Sequence, residues 1–481
     1  MKKIAFLAAI TFALLITSCS GDLEDRTASE FLSAYMKDNK NVVLFGKVDA
    51  KQILEKAEYK SIPKLSVLLK SEMKQYESAL ELNDGVCFAM EGPFDQNGNP
   101  AQLLAFVKVR NADSLASKVS SLGLPVQVSG DLEFVQENEV TIGIKENLAI
   151  VITKSGKYDG KAALAEAFKK AEQDVSEGKV DQILAEKGDI LMGASFENLY
   201  ASSNTSLNKL NAQKKQEFEA LVKDSYLQAT VSFEKGQAVM EMKNLFSNEL
   251  MNRMFMKEDP SASILAKLGK GNARVGLAMN LDMNKMETFL EDFAPNYKQD
   301  LIDGDFSLQM AASVLGDKPF TNLLSGKLGF VMTGNPTADG SFVPETNIHI
   351  GLGKKGNEVK DMVLGFFPSD GVFGMKVQAN AQEINVSSGN TSAAKLLIPG
   401  FANTFGKKGV TAFVNFDGLD MKSFDLDEGG KFFYALQNIL LTADNNGSKM
   451  IVKGKKANQN ILKQIVDVYI SDLEETIGNI N

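Results

Sequence analysis

The chain has 481 residues, 44% hydrophobic and 23% charged, with 61 acids against 52 Lys and Arg and a formal net charge of −9. That is an ordinary globular composition, long enough for more than one core. Its acidity excludes nucleic acid and anionic membrane surfaces as electrostatic partners, because both need basic patches.

Residues Lys2 and Lys3 precede an apolar run, Ile4 to Ile16, followed by Thr17, Ser18 and Cys19. A basic start, a short apolar stretch and small residues form a secretory signal. At 1.5 Å per residue the run covers ~20 Å, short of the ~30 Å hydrocarbon core. The four residues Ile16 to Cys19, ITSC, resemble the bacterial lipobox, in which the cysteine is acylated and becomes the mature N-terminus. Cys19 is thus the expected lipid-attachment residue, and the membrane is a partner through that lipid; two or more acyl chains anchor stably where one does not. The acids Asp22, Glu24 and Asp25 resemble the acidic export signal of Bacteroidota lipoproteins, which implies an outer-membrane location and display on the cell surface. Residues 1–18 are read as the signal peptide and the mixed, polar 19–40 as a tether. With Cys19 acylated, Cys87 stands alone and no intrachain disulfide forms. Its apolar setting, GVCFAM, predicts a buried, inert thiol on a strand.

From residue 41 a unit recurs: NVVLFGKVDAKQIL (41–54), GDILMGASFENLY (188–200), NARVGLAMNLDMNKM (272–286) and GVTAFVNFDGLDM (409–421). Each alternates as a strand does, clearest in Val275, Leu277 and Met279 and in Val410, Ala412 and Val414, and each ends in an acid after an apolar residue. An apolar residue four positions beyond three of those acids marks the change from period two to period 3.6. Asp49, Asp282 and Asp417 are therefore expected to cap helices, and Glu197 is a less typical cap. A second piece recurs without a gap, residues 229–255 on 440–466 with Gly236 on Gly447, and reads as a glycine-turn hairpin followed by a helix. A third, 103–119 and 347–363, reads as strand, turn, helix.

The pieces keep their order, which predicts two related lobes, 41–260 and 261–481, with a polar boundary near residues 257–263. Short turns join most strands and helices follow them. The fold class is therefore α+β, mostly antiparallel sheet packed against helices.

The sequence supplies little for catalysis. The one histidine, His349, sits in an alternating strand, NIHIGLG, and reads as a strand residue. No GxSxG, HExxH, CxxC or GxxxxGK[ST] occurs. SxxK occurs at Ser61–Lys64, Ser71–Lys74, Ser206–Lys209 and Ser392–Lys395, and four hits in a chain rich in both residues read as chance. DQNGNP (95–100) and DLDEGG (425–430) lack the glycine and glutamate spacing of a calcium loop and read as turns. The methionines of MEM (240–242) and MNRMFM (251–256) match aliphatic residues of the other repeat and read as core filling, not copper ligands. No tryptophan is present to stack on a sugar. No catalytic, metal or cofactor-binding residue is assigned, and no cofactor is expected.

Lipobox, acidic tether and the duplicated strand–acid–helix unit together resemble a family of Bacteroides-type lipoproteins known only as a domain of unknown function. The resemblance implies an envelope location and this fold and carries no activity. The expected function is a non-enzymatic binding or scaffolding surface for an envelope or extracellular partner. One alternative is an envelope hydrolase using two carboxylates in one cleft; another is a small-molecule or lipid carrier with its site between the lobes.

Overall fold

A computed structural model describes residues 26–61, 78–81, 83–95, 97–156, 158–175, 178–202, 210–258, 264–294, 296–299, 316–334, 344–366, 374–388, 395–424, 426–427 and 429–478. The signal segment, Cys19, the acids Asp22, Glu24 and Asp25, Asp425, Glu428 and much of the 257–263 boundary lie outside the described residues, as does at least one member of every SxxK pair. The architecture is α+β, with antiparallel sheet and helices in two compact units. One unit runs to Ser203 and resumes over Lys223–Glu234; the other holds Asn204–Val222 and everything from Lys235. The second unit therefore begins before residue 261 and takes in two helices and a strand that the sequence pattern groups with the first lobe.

In the first unit the strands are β1 (Val42–Val48), β2 (Val86–Phe94), β3 (Pro100–Lys108), β4 (Gln127–Ser129), β5 (Leu132–Glu137), β6 (Val140–Lys145), β7 (Leu148–Thr153), β8 (Ile190–Ser195) and β9 (Tyr226–Glu234). They pair antiparallel in the order β4-β5-β6-β7-β3-β2-β1-β8-β9. Its helices are α1 (Ala28–Met36), α2 (Ala50–Lys56), α3 (Ala112–Ser121), α4 (Gly160–Ala171), α5 (Lys179–Leu184) and α6 (Phe196–Ser202). The expected tether over 19–40 is corrected by α1. Thr27 and Glu30 form a capping box, and Ala28, Phe31, Leu32 and Tyr35 make a buried stripe at helical spacing. Tyr35 packs 5.1 Å from Phe106 and donates to Glu91 at 2.6 Å.

The second unit repeats the plan. Its strands are β10 (Gln237–Leu245), β11 (Gly271–Asn280), β12 (Leu324–Thr333), β13 (Glu345–Leu352), β14 (Lys376–Ala379), β15 (Glu383–Ser387), β16 (Leu396–Leu397), β17 (Val410–Asn415), β18 (Leu436–Asp444) and β19 (Gly447–Gly454). Nine pair antiparallel in the order β10-β19-β18-β17-β11-β12-β13-β15-β14, and β16 joins β11 in parallel. Its helices are α7 (Ala212–Val222), α8 (Asn248–Arg253), α9 (Met283–Phe293), α10 (Pro319–Leu323), α11 (Gly356–Phe366) and α12 (Ile461–Gly478). In chain order β11, β12, β13, α11, β17 and β18 correspond to β1, β2, β3, α3, β8 and β9.

The strand ends correct the gapless alignment by one residue. β9 and β10 meet across Lys235–Gly236 and β18 and β19 across Asn445–Asn446, an offset of 210 (234 to 444), not 211. Gly236 is a turn residue at φ 73°, whereas Gly447 opens a strand. A slip of one residue in a strand exchanges its two faces, so the correction decides which side chains are equivalent.

Two of the four recurring acids cap helices as expected: Asp49 accepts from Gln52 N at 2.9 Å and Asp282 from Lys285 N at 3.2 Å. Asp417 does not, because no α-helix follows it and its segment continues into a short 3-10 turn, Met421–Phe424. Glu197 lies inside the first turn of α6, where the cap is Ser195, whose hydroxyl accepts from Asn198 N at 3.2 Å. Glu287 of α9, fully buried, accepts from Phe320 N and Thr321 N at 3.1 Å each and so satisfies the start of α10 from outside that helix.

Candidate functional site

The residues that the sequence singles out for chemistry are held in structural roles. His349 is buried on β13, with Nδ1 2.9 Å from Asn385 Oδ1, and Asn385 in turn donates to Glu383. Cys87 is fully buried on β2, and burial pushes its thiol up to about 12. Asp95 closes a turn by accepting from Asn97 N and Asn99 N at 2.8 Å each. The hydrogen bond from the Asn99 side chain, with those backbone bonds, holds its carboxyl below the usual range. Asp427 accepts from Gly430 N, again a turn. Among the described residues no group of three His, Cys, Asp or Glu is placed to hold a metal.

What the structure brings together is aliphatic. Across the nine strands of the second sheet, Met240, Met450, Leu441, Ala412, Leu277, Phe330, Ile348, Val386 and Val377 stand directly opposite one another in one row. A row on one side runs Ala238, Val452, Ile439, Val414, Val275, Met332. The other runs Ala443, Val410, Met279, Leu328, Ile350, Ile384. Period-two alternation puts all three rows on one face.

The opposite face is the covered one. There Ala278, Val331 and Phe413 pack under Ile264, Leu268, Ala402 and Phe405 in a closed cluster. Gly276 and Gly329 have no room for a Cβ, which would fall 2.3 Å from the Phe413 ring and 2.5 Å from Ile264. On the aliphatic face α11 covers only the β13-β15-β14 end, through Val359 and Met362 on Val377, Ile384 and Ile350. At its centre Leu277, on the fifth of nine strands, is 39% exposed. With ~4.8 Å between strands and ~7 Å between rows, the part from β10 to β12 spans roughly 24 by 14 Å. No Trp, Tyr, Arg, Lys, Asp or Glu stands in these rows.

The first unit has the same faces. Val48, Ile190 and Val231 form one row, Leu44, Ala194 and Leu227 another, and α3 covers the far end through Leu115 and Val119 on Ile144 and Ala149. A second feature lies in this unit. A cavity of about 560 Å³ lies beside α2 and the start of β8, lined by Lys47, Asp49, Lys56, Lys187, Asp189 and neighbours. Asp189, whose side chain has no exposure, takes Lys56 Nζ on both oxygens at 2.7 and 2.8 Å and Phe233 N at 2.5 Å. No motif marked Asp189 or Lys56, which lie 133 residues apart.

Among the described residues no helix is long and apolar enough to cross a membrane. No family model matches the chain, and no curated protein matches it. Two solved crystal forms of the protein TP0453 are similar to part of it. Form III is 8% identical with a TM-score of 0.29, covering 50% of this chain and 91% of that one. Form I is 10% identical with a TM-score of 0.26, covering 43% and 76%. A likeness at that level carries no argument about fold or function.

Proposed function

We propose that this is an outer-membrane lipoprotein, anchored through Cys19, that works by binding, and that the aliphatic face of its second sheet receives the acyl chains of an amphiphile. The part of the row from β10 to β12, half-buried except at Leu277, which is 39% exposed, carries the reading. An uncharged, open, side-by-side array of this kind is an interaction surface, because such patches are otherwise buried. Its composition points to chains rather than to a protein partner. Protein interfaces concentrate Tyr, Trp and Arg anchors, whereas these rows hold a single Phe and four methionines: Met240, Met279, Met332 and Met450. Methionine is unbranched and polarizable and fits variable apolar shapes. Of the recurring acids on which the hydrolase alternative rests, Asp49 and Asp282 are committed to helix N–H groups.

A phospholipid carrying a photoactivatable group in its acyl chain, fed to cells making the full chain, is expected to mark β11, β12, β17 and β18. Leu277→Asp, at an exposed position that tolerates the change, is expected to lower that yield about tenfold, the cost of one lost leucine contact. Absence of adducts, or adducts confined to other segments, overturns the acyl reading. Cys19→Ala is expected to release the protein from membranes on fractionation; retention overturns the anchor and leaves the sheet test standing.

A further inference from the structure

We infer that Arg274, at a bulge in β11, holds the oxyanion of the bound amphiphile, so that the ligand of the aliphatic face carries a phosphate or a carboxylate at its head. The inference rests on the acyl-binding reading of that face and names the class of ligand it takes.

The first observation is where the bulge puts Arg274. Ala273 opposes Thr333 and Val275 opposes Met332, so Arg274 is the extra residue of β11 and shares Met332 with Val275. Bulges re-aim the inserted side chain and recur next to functional sites. Ala273, packed in the covered cluster, and Gly276, against the Phe413 ring, belong to the other face, which leaves Arg274 beside Val275 at the margin of the aliphatic rows. A chain laid along β11 from there passes Val275, Leu277 and Met279, roughly 17 Å at about 3.4 Å per residue.

The second observation is that the backbone does not ask for a charge at this place. The first unit makes the same bulge: Val42 opposes Glu91 and Leu44 opposes Met90, 231 residues before Ala273 and Val275 (273 minus 42, 275 minus 44). There the extra residue is Val43, 2% exposed, and α6 lies against the bulge, with Asn198 Nδ2 donating to Val42 O at 2.8 Å. After β17, the counterpart of β8, a 3-10 turn stands in place of α6, and Arg274 is half-buried where Val43 is enclosed.

The third observation is what the guanidinium has left to donate. Arg274 Nε donates to Gly334 O at 3.3 Å and Nη1 to Asp417 O, which fixes the group between the ends of β12 and β17. Both acceptors are neutral carbonyls; Asp417 offers its backbone, and no carboxylate pairs with Arg274 among the described residues. The N–H groups of Nη2 remain for a ligand. A planar fork held in place without a counter-charge matches a phosphate or a carboxylate, and a bond to such an ion is about twice as strong as one to a neutral acceptor. The chain as a whole, at −9, repels anions at long range, so a preference for them has to come from a local cation.

Calorimetric titration of the full chain with dodecyl phosphate, dodecanoate and dodecyl maltoside, each below its micelle concentration, tests this with one chain length and three heads. The anions are expected to bind about tenfold tighter than the maltoside. The tighter of the two anions assigns the phosphate or the carboxylate class. Arg274→Gln is expected to bring both anions to the level of the maltoside and to leave the maltoside unchanged, which also shows that the face is intact. Lys453→Gln, a cation on the other face of the same sheet, is expected to change none of the three. Equal binding of all heads, an anion preference that survives Arg274→Gln or disappears in Lys453→Gln, or loss of the maltoside together with the anions in Arg274→Gln overturns the role of Arg274 and leaves the acyl reading standing. If none of the three binds, the acyl reading falls and this inference with it.

Discussion

The sheet strands of the two units share an order and an aliphatic face, yet they finish that face differently. In the first unit β1, the counterpart of β11, reads Leu44, Gly46, Val48, and the Phe88 ring lies against Gly46, where a Cβ would meet the ring at 2.7 Å and Leu191 O at 2.2 Å. The neighbouring row is β-branched: Val48, Ile190, Val231. In the second unit β11 reads Val275, Leu277, Met279; Phe330 stands opposite Leu277, which is 39% exposed. Both units carry a β-branched row, and the row through Leu277 adds Met240, Met450 and Leu441, side chains that adapt to variable apolar shapes. The first unit places its difference elsewhere, in a buried ion pair beside a polar cavity. Two units of like strand order thus differ in what they carry, an aliphatic sheet face in one and a polar cavity in the other.

That contrast can be broken by mutation. The largest effect is expected from Lys56→Met, which strands the buried Asp189 carboxylate: about 3–5 kcal/mol of stability by urea unfolding. Thr411→Ala, at a fully buried uncharged position in the second unit, is expected to cost about 1 kcal/mol. Equal losses would mean that the pair is only packing. Next, Gly46→Ala forces a methyl into a backbone carbonyl and is expected to cost about 1–3 kcal/mol. Leu277→Ala should stay below about 1 kcal/mol because much of that side chain is already in water; a larger loss would show the face to be filled. Of the caps, Asp282→Ala is expected to cost about 1 kcal/mol, while Asp417→Ala should change stability by less than about 0.5 kcal/mol.

A pH titration sharpens the same contrast. Burial pushes the Asp292 carboxyl up, but hydrogen bonds from Lys214 and Arg253 more than reverse this and hold it below the ordinary range. A depressed folded value means that the stabilisation is present above the unfolded value and lost as pH falls through the folded one. The α7–α8–α9 cluster of the second unit should therefore loosen on acidification below the ordinary carboxylate range, seen as faster amide exchange there. Burial raises Asp84 in the first unit, so its contribution runs the other way and declines as pH rises through that window. For Cys87, held protonated well above pH 8, iodoacetamide should fail to label the folded chain at that pH.

Much of the fold was legible in the sequence because its signals are local. The strand–helix junctions at Asp49 and Asp282 follow from an apolar residue, an acid and a change of period, and the strand–turn–helix pieces at 103–119 and 347–363 form β3–α3 and β13–α11. The stripe of Phe31, Leu32 and Tyr35 carried the helix signal too, hidden in a segment whose polar composition reads as a tether. Asp417 shows the limit of a local pattern: the acid is there, but the residues behind it settle into a 3-10 turn. Ser195 and Glu287 satisfy helix starts by contacts that the recurring acid does not announce.

By itself the sequence determined that alternating strands hand over to helices at Asp49 and Asp282, that several strand pieces recur in the same order, and that conventional nucleophile and metal sets are missing from its motifs. Alternation in β11 divides Val275, Leu277 and Met279 from Gly276 and Ala278, but it does not say which side is covered. Reading the larger residues as the inward set would have chosen the wrong face. The tertiary structure decided it, because Ile264, Leu268, Ala402 and Phe405 come from distant segments to lie over the small residues. The same is true of the pair at Lys56 and Asp189. Periodicity encodes the two faces of a strand, and only the arrival of another part of the chain takes one of them out of water.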